Sequence, residues 1–349
     1  MEKAYHFEGV WMVLILVIMA FVFCGDPKES LAAPQVKKAV ILRFAHGEPA
    51  TVLLGRGAQR FADRFNERAK GAYRVEIYPA GQMGKFETYL NLCRTGAIEI
   101  AEVTNMNAAG EAPALDIMLP FLFNNQEAQY YAGFLGEKVI ADIWKKTFNQ
   151  KPFMQWGFEL QDIIANSPVR TLSDMKGKKV KVGGGITRSK SLSLWGAAPV
   201  SIAGPETYEA LQRKIADGCI GMMNSVIAFK WYEILKHYTI SGMFSSFNSP
   251  FTINLDVWNS LPKNIQDILT EEGKAADEWL YNATKEEREK MIKTLKDNKV
   301  EVYILPPDES AKWREVVKPV YDLYLKAAGP DGKKLLDFAM EANKKYSGK

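Results

Sequence analysis

From Asn264 to Asn298 the chain runs without a proline and with a single glycine, Gly273. Its apolar positions include Ile265, Ile268, Leu269, Ala276, Trp279, Leu280, Ala283, Met291, Ile292 and Leu295. A continuous helix over this stretch is about 50 Å long at about 1.5 Å per residue, longer than one small lobe is wide. The expectation is therefore a helix that braces two lobes. A chain of 349 residues is long enough to build two domains around separate cores.

The segments before this helix supply the material for those lobes. Val40-Ile41-Leu42-Arg43-Phe44-Ala45 is a β-type run, and after the loop His46-Gly47-Glu48-Pro49 the positions Leu54, Ala58, Phe61, Ala62, Phe65 and Ala69 recur at helical spacing. Val75 to Tyr78 reads as the next strand, Phe86 to Thr95 as a helix and Ile98 to Val103 as a third strand. Strand, helix, strand, helix, strand describes a parallel α/β unit. A second unit begins at the turn Thr171 to Gly177, continues through the alternating strand Lys178 to Val182, and stops at Gly183-Gly184-Gly185. A helix through Trp195, a helix from Pro205 to Ala216 and the apolar segment Cys219 to Met223 repeat the α/β rhythm. Beyond the long helix, Val300 to Leu305 reads as a strand. Asp308 or Ser310 is placed to cap a helix with the stripe Trp313, Val316, Val317, Val320, Tyr321 and Tyr324.

Composition removes several functional classes. Lys and Arg number 45 against 41 acidic residues, a formal charge of +4, and no block of five or more basic residues forms a footprint for nucleic acid. Three histidines and three cysteines make neither a metal centre nor a disulfide framework, and no cofactor is expected. Cys93 and Cys219 are expected to be buried small hydrophobes rather than a pair.

Val10 to Phe23 is an apolar run of about 14 residues, short of the roughly 20 needed to span a bilayer and within the range of a signal-peptide core. Small residues at Ser30 and Ala32 suit cleavage after Ala32, so residues 1–32 are read as a signal peptide and the mature chain as periplasmic. Glu2 and Glu8 are unusual in such a leader, and an uncleaved anchor is the competing account. Lipidation at Cys24 is disfavoured by the bulky Phe23 before it.

Eight strings, in order, resemble the periplasmic solute-binding proteins of TRAP transporters, the tripartite ATP-independent systems that import solutes on an ion gradient. They are Leu42-Arg43-Phe44-Ala45-His46, Val75 to Pro79 with Gly81-Gln82-Met83-Gly84, Gly96 to Ala101, and Leu119-Pro120-Phe121-Leu122-Phe123. Met175 to Val182, Pro205 to Gln212, Asp217-Gly218 and Val257 to Pro262 complete the set, which covers nearly everything after residue 40. The resemblance implies a two-lobed α/β fold with the ligand in the interlobe cleft, residues 37–161 and 249–290 in one lobe and 162–248 and 291–349 in the other. It implies capture of a small solute, an organic acid or an unusual polar or amphiphilic molecule, and its delivery to a membrane permease by a monomeric protein. A ligand-binding sensor subunit is the alternative. An exported enzyme is less well supported, because no nucleophile and base pair stands out.

The family grips a carboxylate with an arginine late in the first strand of the second lobe, and Lys181 occupies that position. Lysine holds an anion as a point charge without the fork of a guanidinium. The solvated side of an alternating strand, with Lys179, is the plainer account of it. A second family arginine aligns to Glu159-Leu160-Gln161-Asp162, where no basic residue stands. Glu159 or Asp162 is then expected near the cleft, to pair with Lys181 or to accept a cationic or hydroxyl-rich ligand. Arg188, after the glycine turn, is placed to supply the missing charge, and that turn is either a helix N-terminus facing an anion or simply tight. Asn224 lies three residues beyond the position of the family's asparagine. Phe121 is read as core or as a ring presented to the ligand. His46, Glu48, Gln82 and Asn105 lie at strand ends of the first lobe, where open α/β sheets bind ligands, or in plain surface loops.

Overall fold

The computed structural model describes residues 38–346 except 203, 246 and 248, so the expected leader and Cys24 lie outside the described residues. The first elements are β1 (Val40–Ala45), α1 (Leu53–Arg68), β2 (Tyr73–Tyr78), α2 (Tyr89–Arg94), β3 (Ile100–Glu102), α3 (Asn105–Ala108), α4 (Gln126–Phe148) and β4 (Gln150–Trp156). Then follow β5 (Leu160–Ala165), β6 (Lys179–Val182), α5 (Ile186–Leu194), β7 (Ala198–Ser201), α6 (Thr207–Gln212), β8 (Gly218–Gly221), α7 (Met223–Ala228) and β9 (His237–Ser245). The chain ends with β10 (Ser249–Asn254), α8 (Leu255–Ser260), α9 (Lys263–Asp297), β11 (Glu301–Ile304), α10 (Pro307–Val316) and α11 (Lys318–Tyr346).

Two sheets result. One has the order β2-β1-β3-β10-β4 and the other β11-β9-β5-β8-β6-β7. In the first, β1 is parallel to β2 and β3, whereas β10 returns antiparallel between β3 and β4. In the second, β6 is parallel to β7 and β8, and β5 is antiparallel to β8 and β9. The chain passes from the first sheet to the second after β4, returns after β9, and passes over again through α9. This is the two-lobed α/β architecture, with the C-terminal ends of β1, β3 and β6 facing the space between the lobes.

The stripe expected in α1 is the buried one: Leu54, Ala58, Phe61, Ala62 and Phe65 pack on Phe44, Phe251 and Ile253 of the sheet. The long helix is continuous from Lys263 to Asp297. Ile265, Leu269, Ala276, Leu280 and Ala283 belong to the core of the first lobe, whereas Met291 and Leu295 belong to a cluster with Cys219, Met223 and Trp231 of the second. One helix thus carries two apolar faces in succession. Its first part is also tied to α1 by ion pairs: Arg64 Nε lies 2.5 Å and Arg68 Nη1 2.8 Å from the buried Glu272, and Arg56 lies 2.7 Å from Glu287. Cys93 and Cys219 are buried and unpaired, and burial pushes each thiol up to about 12. Among the described residues no helix is long and apolar enough to cross a membrane.

The C-terminal helix departs from expectation. The stripe Trp313 to Tyr324 is divided between α10 and α11, because Pro319 has no amide hydrogen for the helical ladder and its ring clashes with the preceding turn. Pro306 precedes α10 and Pro307 is its first residue, so neither Asp308 nor Ser310 is the cap. Further on, α11 is broken at Gly329, φ +60°, immediately before Pro330.

Gly273 marks the closest approach of α9 to the first sheet: a Cβ there would sit inside van der Waals contact of the Phe153 carbonyl oxygen on β4. In an exposed helix, Gly→Ala gains up to about 1 kcal/mol. Here backbone cannot yield as a side-chain tip does, so Gly273→Ala is expected to destabilise the protein by about 1–3 kcal/mol. Urea denaturation of both proteins measures it, and a stabilised variant would show that α9 does not sit this close to β4.

Candidate ligand-binding site

Between the sheets lies a cavity of about 350 Å³, near the lower end of the roughly 300–1,000 Å³ usual for small-molecule sites. Period-two alternation decides which residues of β6 reach it. Val180 and Val182 enter the core, and Lys179 is exposed at the strand's start. Lys181, on the same face as Lys179 but one residue pair deeper, is 5% exposed. Its ammonium lies 5.0 Å from the centre of the Trp231 ring and makes no hydrogen bond or ion pair among the described residues. Burial lowers its pKa from 10.5 to about 8.

The glycine turn ends β6 and starts α5. Gly184 and Gly185 have φ of +116° and +87°, a region that residues with a side chain rarely adopt. The N-terminus of α5 is already occupied by the chain's own anion. Asp116 Oδ2 accepts from the Thr187 N–H at 2.9 Å, and Thr187 Oγ1 lies 3.0 Å from Asp116 Oδ1. This anchoring turns Arg188, 2% exposed, toward the cavity. Arg188 Nη2 donates to Gln161 Oε1 at 2.6 Å, Nη1 rests on the Met106 sulfur, and the guanidinium stacks 5.1 Å from the centre of Phe244. Its Nε is buried without an acceptor. Burial lowers even this guanidinium, to about 10, with Asp116 opposing.

The first lobe contributes charge of the other sign. Glu48 stands in the loop after β1 and Glu102 ends β3; both line the cavity. The Gly47 N–H donates to Glu102 Oε2 at 2.7 Å, which places this carboxyl directly beneath the loop that carries Glu48. Glu48 Oε2 is buried without a donor. Both carboxyls are pushed up from the ordinary range, first by burial; Glu48 further raises Glu102, while Lys181 lowers Glu48. Phe86, Trp156, Phe229 and Trp231 supply the aromatic walls.

Of the residues singled out in the sequence, Lys181, Arg188 and Glu48 come together here. The others are placed elsewhere. On β5, Gln161 faces the cavity, so Asp162 points to the opposite side. There it accepts from Tyr238 Oη at 2.9 Å and from the Ser241 and Gly242 N–H groups at 2.7 and 2.8 Å. A register shift between Gln161 and Ile163 accompanies this turn of the strand. Glu159 is buried behind the site, where its Oε2 accepts from the Asn224 N–H at 3.0 Å and burial raises it to about 7. The pair borders a separate small hollow with Thr284. Phe121 is packing: its ring meets Trp195 edge to face and lies under Arg314. Asn105 is buried and donates to the Phe247 carbonyl at 2.9 Å, Gln82 lies exposed in the turn after β2, and His46 is fully buried beside Phe44.

Sequence reasoning missed Glu102, Gln161, Trp231, Met106 and Met118. Glu102 had a signal, being a polar residue at the C-terminal end of an alternating apolar strand. For Trp231 and the methionines nothing in the local pattern separates a cavity wall from core.

The comparisons agree with this fold. The family model of bacterial extracellular solute-binding protein family 7, DctP, matches residues 44–327. The C4-dicarboxylate-binding periplasmic protein DctP of Rhodobacter capsulatus is 26% identical over 298 residues, 84% of this chain and 89% of that protein. The 2,3-diketo-L-gulonate-binding periplasmic protein YiaO of Escherichia coli is 25% identical over 301 residues, 84% of this chain and 90% of that protein. Among solved structures, the sugar acid binding protein DctPAm from Advenella mimigardefordensis, in complex with galactonate, superposes with a TM-score of 0.82. It is 23% identical, over 87% of this chain and 99% of that one. The Bordetella pertussis receptor DctP7, which binds pyroglutamic acid, has a TM-score of 0.81 at 21% identity, over 86% and 100%. The two-lobed fold, the cleft at the strand ends and the family match over most of the chain lead to one conclusion: this protein belongs to the DctP family of bacterial extracellular solute-binding proteins, the solute receptors of TRAP-type transporters.

Proposed function

We propose that this protein is the extracytoplasmic receptor of a TRAP-type secondary transporter, binds a small organic acid through Lys181 and Arg188, and passes it to a membrane permease as a monomer. One observation carries the choice of ligand charge. Two cations are buried against the same cavity, and neither forms an ion pair among the described residues. Buried charge is costly until it is paired, and a carboxylate entering the cavity supplies acceptors for the Lys181 ammonium and the vacant Arg188 Nε. Relatives whose names state organic-acid ligands, galactonate and pyroglutamic acid among them, support the same class. Closure of the lobes over the bound acid follows if the ligand contacts both lobes, since binding then favours the closed state. We read the site as one for binding, in keeping with a family of solute receptors.

Replacing Lys181 separates function from stability. Lys181→Met removes a buried unpaired charge while keeping most of the volume, so the ligand-free variant is expected to melt above the wild type. Its affinity for the best monocarboxylate should fall by about 2–5 kcal/mol in calorimetry. A variant that binds unchanged would place the anion elsewhere. The share of Lys181 in the pH dependence has a definite sign: the free ammonium loses its proton through about pH 8, so its contribution to affinity for an acid should decline as pH rises past that value. Because Glu48 and Glu102 titrate in the same range, titrations from pH 6 to 10 compare wild type with Lys181→Met, and identical profiles would show that Lys181 does not hold the ligand.

The export reading has its own check. Amino-terminal sequencing of protein from the native host is expected to begin at Ala33, and an intact Met1 or a lipid on Cys24 would overturn cleavage after Ala32.

A further inference from the structure

The cavity is not a simple anion pocket, because its charges are divided between the lobes. Lys181 and Arg188 project from the second lobe, and the first lobe opposes them with Glu48 and Glu102. None of the four forms an ion pair among the described residues, so the two signs do not cancel by direct contact. Glu48 Oε2 is buried without a donor, and Glu102 receives a single backbone N–H, from Gly47. The site therefore presents unfilled hydrogen-bonding capacity of both kinds, acceptors on one wall and donors on the other. Between them the walls are apolar and aromatic, formed by Phe86, Met222 and Trp231.

Different acids meet this arrangement differently. A dicarboxylate places its second carboxylate against Glu48 and Glu102, where it either holds both in the protonated form or meets a like charge in a site sheltered from water. An alkyl acid satisfies the cations and leaves the two carboxyls as they are. A sugar acid offers hydroxyl donors but no charge to draw the buried pair into its ionised form. A protonated nitrogen offers both donors and charge, and aromatic faces beside it add attraction.

We propose that the solute is a small zwitterion whose carboxylate sits at Lys181 and Arg188 and whose cationic nitrogen sits between Glu48 and Glu102. This rests on the organic-acid receptor reading above and narrows it to amino or imino acids. The electrostatic surroundings of the glutamates agree with it: the groups that face them are Lys181 from β6, Tyr89 from α2, each other, and the Gly47 N–H, with His46 adjacent in the loop. No lysine or arginine of the first lobe reaches them, so both remain displaced toward the protonated form until a cation arrives.

Calorimetry with isosteric pairs tests it: 4-aminobutanoate against pentanoate, and 5-aminopentanoate against hexanoate, where an ammonium replaces a methyl group, with glutarate and gluconate as further probes. In the wild type at least one amino acid is expected to bind ten or more times tighter than its alkyl partner and than glutarate. Glu102→Gln and Glu48→Gln are each expected to shrink that ratio toward one. Melting curves establish that a variant is folded before it is compared; if one is not, the other variant and the wild-type ratios decide. Alkyl acids that match or exceed their amino partners, with binding still lost in Lys181→Met, would overturn the zwitterion and leave the acid receptor standing. Tightest binding by gluconate or glutarate would do the same. No binding by any of the acids would overturn both.

Discussion

Two cations held out of water with no ion pair among the described residues are the constraint on which the rest of this molecule turns. An isolated charge in a protein interior is tolerated only where neighbours replace part of its hydration. Lys181 has the Trp231 ring, and Arg188 has Gln161, the Met106 sulfur and the Phe244 ring. All are neutral, so each spreads the charge without cancelling it. Asp116 acts on Arg188 only at a distance, because its oxygens are engaged with Thr187 at the start of α5. The same contact fixes the helix that carries Arg188 and keeps the guanidinium available.

Maintaining such a site requires two lobes whose separation is controlled. The cavity is bounded by the ends of strands from different sheets, and those sheets are joined where the chain passes between them and along α9. Because α9 buries one set of side chains in the first core and another in the second, its register ties the two cores together. The ion pairs to α1 hold its first part against the first lobe, and Gly273 allows it to approach β4 closely. The proposed closure of the lobes would then be taken up outside α9's packed faces, in the connectors after β4 and β9.

On the proposed reading, the distribution of charge between the lobes lets the receptor distinguish which ligand has arrived. Attraction from one wall alone fills the cavity but gives closure no advantage. A ligand that satisfies both walls is bound better in the closed arrangement than in the open one, and only that difference shifts the population. On the zwitterion proposal, an acidic wall that ionises only beside a cation disfavours a second anionic group, so selectivity there comes from the unfavourable pairing as well as from attraction.

Much of this was legible in the sequence. The absence of proline over residues 264–298 determined the long helix and the apolar spacing in α1 determined its buried face, both local properties carried by helical periodicity. Lys181 was pointed to the cleft by the family resemblance, since strand alternation alone also fitted a solvated face. Tertiary structure decided which polar groups meet. Gln161 rather than Asp162 faces the cavity because side chains alternate across β5, and the phase of that alternation is set by pairing with β8 and β9 rather than by the strand itself. Glu102 reaches the Gly47 N–H across 55 residues of sequence and Asp116 reaches Thr187 across 71, contacts that no local pattern encodes. The sequence by itself determined the order of strands and helices over most of the chain, though not the division at Pro319, and therefore where a site could form. Only the packing of distant segments decided its charge, because burial and electrostatic pairing depend on neighbours brought together by the fold.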